Sequence, residues 1–331
     1  PLINPSSVVM RKVINQAKTN PKKIVFPEGE QPKVLRACQR LVDEGIAHPV
    51  LLGREERIKK VMKQEEIELE NVEIIDPYYS KHYGEFVNEF QKKRARRGVT
   101  KSVARLEMQS PINFGLMMVS KGLADGFVSG LTMGYAESMR PALRLIGTAG
   151  GIKRACGVYL VILKNDMKFF ADTTVNIDPN AEELLEIALT TARFVASFGI
   201  TPKIAMLSFA NFGSSPCPQT EKVKQATAMI KAEHPDIVVD GEIQVDLAVD
   251  PDLVEEVYPF CAIKGDANVF IFPDLSSGNI GYKLMGRLGG ATVIGPILLG
   301  MAKPINILQH GADVESIINL TAFTVVRAQN P

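Results

Sequence analysis

The chain has 331 residues, 46% of them hydrophobic, and a formal charge of +1 at neutral pH. That is enough apolar material for one large core, or for two joined by a cleft. A nearly neutral chain has no general attraction for a phosphate backbone, and no apolar run reaches the length of a membrane span, so neither nucleic acid nor membrane is an expected partner.

Taken in order, Ser6 or Ser7 can cap a helix reaching about Ala17, and the apolar run at 22–28 reads as a buried strand. A helix from about Pro32 to Glu44 follows, then a strand at 49–53, a charged helix and a strand at 72–76. A long helix around Ser80–Arg97, a second at Pro111–Lys121 and the strand GFVSG at 126–130 come next. Short apolar runs separated by helices indicate a parallel sheet covered on both faces. A helix carrying Arg140-Pro141 leads to the Gly-rich joint at 147–151, where the domain crossing is expected.

Beyond the joint, runs at 158–163 and 168–174 read as an antiparallel pair turning across Lys164–Met167. A helix from Ala181 to Phe198 is stopped by Gly199. Strands at 203–209 and 237–243 flank a helix near Thr220–Glu233. Val269 to Phe272 forms a further strand, followed at once by a helix through Asn279, Tyr282 and Lys283. The backbone N–H groups at that helix start offer an anion seat. A last helix, about Asp313–Gln329, is expected to pack on the first domain.

Common chemical signatures are missing: there is no G-x-G-x-x-G, no phosphate loop of the Walker type and no H-E-x-x-H. Cys38, Cys156, Cys217 and Cys261 are too widely spaced for a zinc site or a disulfide scaffold, which fits a reducing cytoplasm. Cys217, between prolines, reads as a loop thiol, while His48 and His234 precede proline and read as turn residues. The basic run Lys92–Arg97 reads as a solvated helix end, with the alternative that one member points into an anion site. The Ser129–Thr132 turn offers small residues and amides to a ligand. Asp172 and Asp246 read as turn caps. The first residue is not Met, so the chain is expected to be part of something longer.

Six ordered segments carry a resemblance: GFVSGLTMGYAESMRPAL, FFADTTVNIDP, KIAMLSFANFGSS, DGEIQVDLA, IFPDLSSGNIGYKLMGRLGGATVIGPILLGM and KPINILQHG. In this order they resemble the motifs of the phosphate acetyl/butyryltransferase family, over nearly the whole chain. The resemblance implies two α/β domains with mainly parallel sheets covered by helices and a ligand cleft between them. The same architecture serves isocitrate and isopropylmalate dehydrogenases. Domain one is then 1–147 plus 300–331, with 148–299 inserted as domain two. It also implies a cytoplasmic homodimer that transfers an acetyl group between coenzyme A and phosphate.

Within that family the variants FADTTVNIDP, LSFANFGSSPCP and KPINILQHG are most similar to the transferase-like domain at the C-terminus of large bacterial malic enzymes. The family's Ser-Arg pair falls on Gln309-His310, and its downstream Asp falls on Ser316. A serine hydroxyl cannot take the proton of a coenzyme A thiol, whose reference pKa is about 8.5. The expectation is therefore a regulatory domain without catalytic residues, binding acetyl-CoA as an effector through Arg94, Ser129, Thr132, Arg140, Asn279, Tyr282, Lys283, Gln309 and His310. NADP, a divalent metal and a larger homo-oligomer would belong to the malic-enzyme portion. Two alternatives stand beside it: an active acyltransferase with Asp313 or His310 as base, and a purely structural dimerisation domain.

Overall fold

The computed structural model describes residues 5–163 and 166–330. They fall into two compact units, Met10–Ala149 with Met301–Pro331, and Gly150–Gly300 with the residues up to Val9.

The first helix, α1 (Pro5–Thr19), enters the first unit from Met10 onward and takes in Ser6 and Ser7 as helical residues instead of starting after them. Then come β1 (Lys22–Phe26), α2 (Pro32–Asp43), β2 (Ala47–Leu52), α3 (Glu55–Gln64), β3 (Glu73–Ile75) and α4 (Tyr83–Arg94). A 3-10 turn at Ala95–Arg97 ends the long helix early, and α5 (Lys101–Met108), α6 (Pro111–Ser120), β4 (Gly126–Ser129) and α7 (Tyr135–Leu145) follow. His48 lies inside β2, paired with Lys23, and not in a turn. Pro49 follows it within the strand, and β2 keeps its register on β1 along five residue pairs.

The second unit opens with β5 (Cys156–Leu163) and β6 (Asp166–Ala171), antiparallel as the pattern predicts. The middle of their turn, 164–165, lies outside the described residues. Next are α8 (Ala181–Ala196), β7 (Lys203–Leu207), α9 (Pro218–Glu233), β8 (Val238–Ile243), α10 (Val245–Val249), α11 (Pro251–Val257), β9 (Val269–Ile271), α12 (Leu275–Arg287) and β10 (Thr292–Leu299). Its six strands run in the order β10-β5-β6-β9-β7-β8, with β6, β9, β7 and β8 parallel. Cys217 sits at the N-cap of α9, where hydrogen bonding by the Thr220 backbone and then its side chain lowers the thiol pKa.

The chain then returns to the first unit through β11 (Ile305–Ile307) and α13 (Val314–Gln329). The five strands stand in the order β11-β4-β1-β2-β3, all parallel. Ile24, Val25, Phe26, Phe127 and Val128 are almost wholly buried, as expected for strands covered on both faces. Successive strand residues face opposite sides. Side chains of Val25 and Phe127 meet Gly115 of α6, whereas Ile24 and Thr324 of α13 close on Gly126. So α6 covers one face and α13 the other. The order also fixes a switch point: from β1 the chain moves outward through β2 and β3, then returns to place β4 on the far side of β1. In such sheets ligands gather outside the carboxyl ends of the strands at the switch.

Candidate functional site in the first unit

Because the sheet is parallel, every strand of the first unit delivers its following loop to one edge. Ser129–Thr132 follows β4, Pro27–Glu30 follows β1, and Gln309–Ser316 follows β11. The β4 and β11 loops are bound to each other: the Leu308 N–H donates to the Ser129 carbonyl at 2.6 Å. Gly130 has φ +111°, and a Cβ there would stand 2.6 Å from the Leu308 carbonyl oxygen. Only glycine permits so close a crossing. Ser129, Thr132, Gln309 and His310 are thereby brought to one place, with Gln309 half-buried and His310 exposed.

The amides of the Ser129–Thr132 turn are already engaged, which corrects the expectation that they await a ligand. The Glu28 carboxylate accepts the N–H groups of Gly130 (2.9 Å), Leu131 (3.2 Å) and Thr132 (2.7 Å). It also accepts the hydroxyls of Thr132 at 2.6 Å and Ser129 at 3.4 Å. Sequence reasoning missed Glu28. The available signal was an acidic residue immediately beyond a buried parallel strand, between Pro27 and Gly29. Beside it lies a cavity of about 300 Å³, walled by Pro27, Leu52, Ile112 and Met133, with Glu28 and Thr132 on its polar side.

Further along the β11 loop, Asp313 caps α13 by accepting the Ser316 N–H at 2.8 Å. Hydrogen bonds from the Ser316 side chain and backbone hold this carboxyl below its ordinary pKa. Ser316 is thus the partner of a carboxylate one helical turn away. The Lys33 ammonium fixes the same loop through the Ala312 carbonyl at 3.1 Å.

Two arginines of the first unit, Arg144 and Arg94, differ in how their charge is met. Arg144 is neutralised by Glu107, lies 5.1 Å from the centre of the Phe90 ring and donates to the side-chain amide oxygen of Asn113 at 3.4 Å. Arg94, half-buried at the end of α4, has no such carboxylate among the described residues, and its buried Nε has no hydrogen-bond partner there. Burial, then the charges of Arg97 and Arg144, lower its pKa. One member of the basic run does turn inward, and the other five of Lys92–Arg97 are exposed. Arg140, on α7, is exposed.

Asn279, Tyr282 and Lys283 belong to the second unit. The Tyr282 ring is 6% exposed and stacks on Tyr159 at 3.9 Å between centroids, so it is part of a core and lines no open surface. Asn279 donates to the Thr173 carbonyl at 3.2 Å, and Lys283 is exposed beside the Tyr282 ring. The anion seat expected at the start of α12 is capped by the chain itself, through Asp274 accepting the Ser277 N–H at 2.8 Å. Asp172 is a buried structural acceptor, taking the N–H groups of Gly157, Thr174, Val175 and Asn176. Among the described residues no cluster of His, Cys, Asp or Glu is suited to a metal ion, and no helix is long and apolar enough to cross a membrane.

A parallel sheet whose glycine-linked polar loops gather at its switch point defines an α/β protein of the kind in which ligands collect beyond the carboxyl ends of the strands. The chain belongs to the phosphate acetyl/butaryl transferase family, whose pattern matches residues 8–325. It is 40% identical to the phosphate acetyltransferase of Thermoanaerobacterium thermosaccharolyticum, over 97% of this chain and 99% of that protein. The phosphate acetyltransferase of Bacillus subtilis is also 40% identical, over 92% of this chain and 94% of its own length. A crystal structure of a phosphotransacetylase from Streptococcus pyogenes superposes with a TM-score of 0.94 at 39% identity, covering 99% of this chain and all of that one.

These matches overturn the regulatory reading. Relatives spanned almost from end to end are named as the transferase itself, so the malic-enzyme parent, the effector role of acetyl-CoA and the absence of catalysis are not supported. NADP, the divalent metal and the larger assembly fall with that parent. The expectation rests on the variants FADTTVNIDP, LSFANFGSSPCP and KPINILQHG and on Gln309, His310 and Ser316 at the family's chemical positions, and it is the alternative with Asp313 or His310 as base that the relatives favour.

Proposed function

We propose that this chain is a phosphate acyltransferase, moving an acyl group between the sulfur of coenzyme A and an oxygen of phosphate. The observation that carries the reading is identity of 40% along almost the full length of a named phosphate acetyltransferase. The geometry supports it with the polar loops gathered at the switch point.

In the direction of acyl phosphate synthesis, a phosphate oxygen attacks the thioester carbonyl. A C–O bond forms, the C–S bond breaks, and coenzyme A leaves as a thiolate that takes up a proton. In reverse the thiol must lose that proton. Two groups on the β11 loop can carry it. The Asp313 carboxylate is tied to Ser316 and held at low pKa, which weakens it as a base. His310 offers an imidazole, the side chain suited to proton transfer near neutral pH, and is assigned the role. The Gln309 amide is the donor for the carbonyl oxygen as it gains charge. Arg94 and Arg140 pair with phosphate charge. A homodimer is the assembly expected of such a transferase.

The test is thioester formation from acetyl phosphate and coenzyme A by the purified chain. Turnover that His310→Ala reduces by on the order of 100-fold supports the assignment. No rate above the uncatalysed background refutes the reading. Acyl preference is measured in the same assay with butyryl phosphate.

A further inference from the structure

We infer that Glu28 is a positioning residue of this site, fixing the β4 loop and, through it, the loop that carries Gln309 and His310. The inference rests on the transferase reading. Its basis is a carboxylate used entirely on one loop: Oε2 receives Gly130, Leu131 and Ser129, and Oε1 receives Thr132 twice. No other acceptor reaches those three amides among the described residues.

Glu28 is itself rigidly presented. Pro27 restricts the backbone before it. After it, the Gly29 N–H binds the Leu52 carbonyl at 3.2 Å, and the Gln31 N–H binds the Glu28 carbonyl at 3.0 Å. A Cβ at Gly29 would lie 2.7 Å from the Leu52 oxygen, so the turn is packed directly on β2. The hold then passes from one loop to the next through Leu308 N–H on Ser129 and the contact of Gly130 with the Leu308 carbonyl. A carboxylate suits this task because it is all acceptor. Five donors converge on two oxygens, which no amide side chain of the same length can match. Being ionised, it also strengthens each bond.

The role differs from general support of the fold. β1 and β4 pair through Ile24–Gly126 and Val25–Phe127, short of the loop, so the sheet does not depend on the carboxylate. What Glu28 controls is where the loop stands beyond the sheet. Its removal therefore acts on turnover more than on folding.

The experiment compares the whole chain with Glu28→Gln, Glu28→Asp and Thr132→Val, in steady-state kinetics, thermal unfolding and amide exchange. Glu28→Gln turns an NH2 group toward donors. Its kcat should fall on the order of 10- to 100-fold, as displaced catalytic groups do, with KM for coenzyme A changed far less. Exchange at Gly130, Leu131 and Thr132 should speed up, and Glu28→Asp should recover part of the rate. Thr132→Val, which removes one hydroxyl and leaves the carboxylate, should lose a smaller factor, and it decides the matter if the Glu28 variants do not fold. Wild-type kcat in Glu28→Gln, or a loss of rate that only follows loss of folded protein, overturns the inference. A wild-type chain that makes no thioester overturns the functional reading and this role together. That result is told apart from failure of the role alone, in which wild type and Glu28→Gln turn over equally fast.

Discussion

Two carboxylates in this chain, Asp172 and Glu28, are each gripped by a row of backbone amides, and their surroundings give them different work. Asp172 is 2% exposed, within the second unit. Burial raises its pKa, against the opposing pull of N–H groups from Thr174, Gly157 and Asn176. Glu28 stands half-buried at the rim of a parallel sheet, beside a cavity. The same chemistry is a structural knot in one place and a loop clamp in the other. The lesson is that a nest of amides is not by itself a ligand site: here the chain fills it with its own anion.

Substitutions can break that comparison, and the largest effect is expected at the buried member. Asp172→Ala leaves four N–H groups without their acceptor and removes one of the two acceptors of the Asn176 side-chain amide. Unsatisfied buried donors cost about 1–3 kcal/mol each before relaxation, so a net loss of roughly 4 kcal/mol is expected in denaturant unfolding. A loss below about 1 kcal/mol would show that the knot relaxes freely. Gly130→Ala comes next. It places a side chain at φ +111° against the Leu308 carbonyl, and should cost roughly 2–3 kcal/mol together with most of the activity. Full activity would detach the two loops from each other.

Glu28→Gln sharpens the contrast from the other side, with at most about 1 kcal/mol lost from unfolding, since its donors can turn to water. An effect as large as that of Asp172→Ala would make Glu28 a structural knot as well. The smallest effect is the acid limb of Asp313. Its folded pKa lies below the unfolded value, so its contribution is complete above the unfolded value and fades as pH falls through the folded one. Asp313→Asn keeps a capping residue and should flatten that limb, measured as unfolding midpoint against pH. An unchanged profile would show that the cap carries no charge dependence.

Much of this architecture was legible because buried parallel strands announce themselves. The strands read at 22–28, 49–53 and 126–130 correspond to β1, β2 and β4, with ends shifted by one or two residues. β10 was not legible, since TVIGPILL carries Gly295-Pro296 in its middle, which argues against a strand. Its position explains the tolerance: it is an edge strand whose register on β5 shifts between Ile294 and Ile297. β11 is three residues long and acquires meaning only from β4 beside it. The sequence reading places no element at 101–108, between the helices at Ser80–Arg97 and Pro111–Lys121, although Thr100 caps α5 there through the Val103 N–H. Arg94, Gln309 and His310 could be picked out in the sequence as residues, but their surroundings could not. Glu28 has no periodicity or motif to mark it, because its role depends on a loop about 100 residues away.

β11 also bears on how the molecule is made. β4 gains that neighbour only from residues that lie nearly 180 positions later in the chain, after the whole second unit. During synthesis, which proceeds from the N-terminus, the outer rim of β4 must wait as a bare strand while the intervening unit emerges. The nascent first unit is thus open to mispairing until the closing strand arrives, and a chaperone that shields exposed β edges would act in that interval.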